Sequence, residues 1–92
     1  MAVSAGSDAR IGVAVTGPFE LGFREAIRMW RAGITWESIT HLAESEAPYV
    51  ARGMVAAVEA MSGWLSLAER EAKAHGVPPA TIDALIQEAR HA

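Results

Sequence analysis

At 92 residues and a formal net charge of −3, the chain fits one domain near the lower size limit for a core without staples, and its acidic total runs against the basic surface that nucleic-acid binders usually carry. It is 51% hydrophobic but only 7% aromatic, so alanine and aliphatic side chains supply the interior and favour close helix–helix contact. It has no cysteine, which excludes disulfides, thiolate metal sites and cysteine nucleophiles; with no signal-like start and no apolar run of roughly 18 residues, the reading is a soluble, cytoplasmic protein without a membrane partner.

Residues 1–17 read as an N-terminal arm. After a small polar start, Ile11, Val13 and Val15 alternate with Gly12 and Ala14, the period-two signal of a strand. A lone strand has no stability of its own, so this arm is either an extended segment docked on something else or a coil. Residues 18–92 form the helical domain. Gly17-Pro18 opens its first helix, because proline suits a first turn whose N–H has no partner. Phe19, Phe23, Ile27 (or Ala26) and Trp30 recur on one side, while Glu20, Arg24, Arg28 and Arg31 lie on the other. Ala32-Gly33 ends the helix, with glycine supplying a left-handed cap.

Thr35 is the natural N-cap of a short second helix whose buried face is Trp36, Ile39, Leu42 and Ala43, finishing near Glu44 or Ser45. Pro48 restarts helix. From Tyr49 to about His75 the sequence holds two apolar stripes. One runs through Val50, Met54, Ala57, Met61, Leu65, Ala68 and Ala72, the other through Ala56, Ala60, Trp64, Leu67 and Ala74. Two stripes are more than a small domain can cover. The favoured solution is an unbroken helix whose second stripe packs on another subunit, with a break at Ser62-Gly63 as the competing one. Gly76 and Val77-Pro78-Pro79 turn the chain into a last helix, with Ile82, Leu85, Ile86 and Ala89 inward and Asp83, Gln87, Glu88 and Arg90 outward. The expected architecture is therefore all-α, four helices with an extended arm, and a homodimer through the long helix.

Between Thr35 and Val58 a capped helix, a polar turn and a second helix place Trp36, Ile39, Leu42, Ala43, Val50 and Val55 where two crossing helices touch. This pattern resembles the helix-turn-helix of DNA-binding proteins such as sigma-factor region 4, small phage regulators and terminase small subunits. It covers roughly a third of the chain and is one of apolar spacing. Two features depart from it: Glu44-Ser45-Glu46 replaces the turn glycine, and the second helix is poor in base-reading side chains. What the resemblance implies is a small DNA-binding regulator or adaptor of phage or mobile-element type. Ser45, Tyr49 and Arg52 would then face a groove beside Gly53 and Ala56, with Arg24, Arg28 and Arg31 on phosphates. Glu44 and Glu46 would repel those phosphates. The same corner can equally serve as a core-building device.

Other clusters have plainer readings. The Arg24, Arg28, Arg31 stripe suits phosphate or an acidic partner, or is a solvated face. His41 shares a helix side with Glu37 and Glu44, too few ligands for a zinc site, so no metal is assigned. Trp30 and Trp36 fall at core spacing, whereas Trp64, with Met54, Met61 and Leu67, marks an interface face. No phosphate loop, nucleophile–base pair or apolar carboxylate pair is present, so neither an enzyme, a cofactor nor a small-molecule substrate is expected. The rival function is an acidic, non-enzymatic protein-interaction module, such as an inhibitor, antitoxin-like protein or assembly subunit, acting through its apolar helix face. A weaker third reading is a subunit of a larger particle that uses the arm for strand addition.

Overall fold

The computed structural model describes residues 17–91, and the strand expected around Ile11, Val13 and Val15 lies outside them. Five helices follow in order: α1 (Pro18–Arg31), α2 (Trp36–Ala43), α3 (Pro48–Met61), α4 (Leu65–Ala74) and α5 (Pro79–Arg90). The domain is all-α over the described residues, with α3 at its centre: α1, α2 and α4 all pack on it, and α5 closes against α4 and α1. No described helix is long and apolar enough to cross a membrane.

The expectation of four helices fails at one place. The chain does not run unbroken from Tyr49 to His75; it bends at Ser62-Gly63, where Gly63 takes φ +105° and the Trp64 N–H bonds back to the Glu59 carbonyl at 2.8 Å. This left-handed glycine closure ends α3 by satisfying its last carbonyls, and α4 folds back. The reversal covers part of the surplus apolar surface inside one chain and leaves Trp64 exposed and Leu67 half-buried. Ala56 and Ala60, assigned to a partner-facing stripe, are fully buried along with Ala68 and Ala72.

Three glycine closures of the same kind punctuate the fold. Gly33, Gly63 and Gly76 have positive φ, and in each case the following N–H reaches back five residues, from Ile34 to Met29, from Trp64 to Glu59 and from Val77 to Ala72. At the other ends, Pro18, Pro48 and Pro79 occupy the first position of their helices, where a missing N–H costs nothing. Thr35 caps α2 as its sequence predicts: its hydroxyl accepts the Ser38 N–H at 3.2 Å.

The core follows the predicted stripes in α1 and α5. Phe19, Phe23, Ala26 and Ile27 are buried from α1, and Ile82, Leu85, Ile86 and Ala89 from α5. Its tightest point was not anticipated. Gly22 of α1 lies against the Val50 carbonyl of α3, and Gly53 of α3 lies against the Phe19 carbonyl of α1, so the two helices meet backbone to backbone. A Cβ at either position would fall inside the van der Waals envelope of a main-chain oxygen. The glycine Cα–H groups face those oxygens instead, a weak attractive contact that only glycine permits.

Gly53→Ala tests this contact. Alanine is intrinsically about 1 kcal/mol better than glycine within a helix, but overpacking against main chain outweighs that gain. The variant is expected to lose about 2 kcal/mol, near 10 °C in melting temperature for a domain of this size. Circular dichroism melting that shows an unchanged or higher midpoint would contradict the close approach.

Candidate interaction surfaces

The corner between α2 and α3 is built as a helix, a four-residue connection and a second helix. Ile39 and Ala43 are buried beneath it, and Trp36 and Val50 are half-buried. Trp36 stacks on Trp30 of α1, ring centroids 5.2 Å apart and 7° from parallel, which ties the start of α2 to the end of α1. Leu42, expected inside, is 43% exposed; the inward positions of so short a helix are filled by Ile39 and Ala43.

The side chains proposed to read a groove are all exposed, and each is engaged differently. Ser45 donates its hydroxyl proton to the Leu42 carbonyl at 3.0 Å and so closes the end of α2. Tyr49 is 57% exposed, but its ring meets His75 edge-on at 5.5 Å. His75 in turn stacks on Phe19 at 4.7 Å and pairs through Nδ1 with the Glu71 carbonyl at 2.9 Å. Tyr49 is thereby drawn towards the α4–α5 turn, where these rings line a cleft of about 520 Å³. Nothing in the sequence signalled that cluster. Arg52 is exposed and has no ion pair among the described residues. Gly53 and Ala56, placed beside the readers by sequence reasoning, are buried against other helices. Gly53, Met54, Ala56, Ala57 and Ala60 are enclosed, whereas Pro48, Tyr49 and Arg52 are exposed and Val55, Val58, Glu59 and Met61 stay half-buried along α3.

The arginine stripe on α1 exists, but it carries its own counter-charges. Arg24 bonds Glu20 with its Nη2 at 2.8 Å, and Arg28 holds Glu25 through both Nε and Nη2. That contact raises the already high Arg28 pKa, chiefly through the hydrogen bond and then through the charge of Glu25. Arg31 is exposed and unpaired among the described residues. His41 lies 3.6 Å from Glu44 on the open surface, and no group of three or more potential metal ligands occurs among the described residues.

The four residues assigned to an interface divide. Met54 is completely buried in the protomer and offers nothing to a partner, because α1 covers that side of α3. Met61 and Leu67 are half-buried, and Trp64 is 64% exposed.

Carboxylates also approach one another between α3 and α4 and between α4 and α5. The Glu59 carboxyl is pushed up from its ordinary range, first by partial burial and then by the neighbouring Glu71 charge, and its Oε1 is buried without a hydrogen-bond partner. On the far edge of α4, a side-chain hydrogen bond to Asp83 raises Glu69, with desolvation and the Asp83 charge adding to it.

Compared with known proteins, the chain matches no family model, no curated protein and no solved structure. The helix-turn-helix resemblance therefore stands on the residues from Thr35 to Val58 alone.

Raised carboxyl groups fix the sign of the pH dependence. Glu59 and Glu69 bind protons more tightly in the folded chain than in the unfolded one, so their contribution is fully present below the unfolded value of about 4.3 and is lost as pH rises through the folded values. Glu59→Gln removes the charge and gives Glu71 an amide donor. It is expected to raise the melting temperature by a few degrees at pH 7.5 and to make no gain at pH 4. Equal effects at both pH values in thermal melts would refute this account.

Proposed function

We propose that this chain is a non-enzymatic protein-interaction module that associates with a second copy of itself through the α3–α4 bend, with Trp64 as the anchor. The observation that carries this reading comes from comparing the three glycine closures. In such a closure the residue after the glycine normally folds its apolar side chain back over the helix end. Val77 does so and is 6% exposed, and Ile34 is half-buried, whereas Trp64 stands 64% exposed on a backbone pinned by its bond to Glu59. Burying the open part of an indole removes on the order of 100 Å² from water, roughly 3 kcal/mol in favour of whatever covers it.

Half-buried Met61 and Leu67 flank Trp64 in sequence and supply an apolar surround. A two-fold arrangement in which each Trp64 seats against Met61 and Leu67 of the other copy is self-complementary and closes without generating fibres. Tryptophan on a pre-ordered backbone is also the residue type most enriched among binding hot spots. Light scattering over a concentration series is expected to show a dimer, and Trp64→Ala should raise its dissociation constant at least thirtyfold. A wild-type protein that stays monomeric at the highest concentration tested would overturn the proposal.

A second reading, a small helix-turn-helix-type DNA-binding regulator of phage or mobile-element kind, is favoured by one observation: Arg52 projects unpaired from the first turns of α3, just beyond the capped corner. It predicts that duplex DNA binds at low salt and that Arg52→Ala weakens binding at least tenfold. A titration that detects no affinity, or finds wild type and variant equal, removes this reading.

A further inference from the structure

From the way α1 and α5 lie together, we infer a docking groove for an acidic peptide segment with an aliphatic side chain at its centre. The C-terminal halves of the two helices run side by side and enclose two adjoining hollows of about 200 and about 410 Å³. Arg31 borders both. Arg24 and Arg28 line the first and Arg90 the second, so four of the chain's eight lysines and arginines converge on one groove. The chain as a whole has a net charge of −3, and a clustering of this kind leaves the groove as its positive region.

Three carboxylates belong to the same region. Glu88 lines the groove, while Glu20 and Glu25 sit on α1 as partners of Arg24 and Arg28. Four guanidiniums against three carboxylates leave a positive excess, and it is concentrated in Arg31 and Arg90, which have no ion pair among the described residues. The paired arginines keep unused donors as well, since each guanidinium carries five N–H groups and their pairing holds it in place.

The floor decides the class of partner. Ile27 and Leu85 are the apolar residues lining the first hollow, and half-buried Trp30 lines the second with Ala89. A peptide that alternates carboxylates with a leucine or similar side chain satisfies both rim and floor. A phosphate backbone uses the rim alone and meets repulsion from Glu88. The groove is on different helices from Trp64, so this inference and the dimer proposal can fail separately.

The test is calorimetric titration of the full chain with a short peptide in which glutamates flank a central leucine, at low and high salt. Binding is expected in the micromolar range, weakened by salt. The double variant Arg31→Glu with Arg90→Glu should lose at least tenfold in affinity, while Arg70→Glu, the same charge change on α4, should not. Changing the central leucine of the peptide to serine should weaken binding severalfold. Absence of binding, an equal loss in the Arg70 variant, or binding of duplex DNA that matches the peptide in affinity and in dependence on Arg31 and Arg90 would each overturn the proposal.

Discussion

The fold turns on the place where α1 and α3 touch without side chains between them. Gly22 and Gly53 let two main chains approach more closely than any alanine would allow, and the neighbouring positions follow from that approach. Phe19 and Phe23 of α1 and Met54 of α3 are buried beside this contact. The alanine-rich composition finds its reason here. With main chains this close, the interior has little width to fill, and Ala26, Ala56, Ala57 and Ala60 fill it at ordinary packing density.

A helix packed against three others keeps its inner positions Gly53, Met54, Ala56, Ala57 and Ala60 closed to solvent. Local contacts hold the corner between α2 and α3 together. Thr35 fixes its start, stacked Trp30 and Trp36 fix its angle to α1, and Ser45 closes its end. The exposed apolar residues Leu21, Leu42, Tyr49 and Trp64 are dispersed around this scaffold, and Trp64 is the most exposed of them.

Much of the backbone was legible in the sequence because helix ends obey local chemistry. Proline at the first positions, Thr35 as a cap and Gly33 and Gly76 as terminators each act within a turn, and the structure places them accordingly. The apolar stripes of α1 and α5 were legible for the same reason. The error at Ser62-Gly63 arose from weighing burial above termination: the surplus stripe suggested a partner, whereas glycine stopping the helix let the chain cover Ala56 and Ala60 itself. Gly22 and Gly53 carried a signal that went unread, since glycine inside a helical pattern costs about 1 kcal/mol and implies a packing reason. Side-chain sites were less legible. The carboxylate partners of Arg24 and Arg28 are local and could have been found from their spacing. The meeting of Phe19, Tyr49 and His75, and of Arg31 with Arg90, depends on how distant segments fold together, which periodicity does not report.

The three tryptophans differ in environment in a way that makes the molecule its own spectroscopic probe. Trp30 and Trp36 stack 5.2 Å apart, within range for their electronic transitions to couple, and any signal of that coupling is lost when α1 and α2 part. Trp64 is 64% exposed in the single chain, so its emission shifts to the blue when a partner covers it. One chain thus reports the integrity of its corner and the state of its outer surface through two optical signals that need no label.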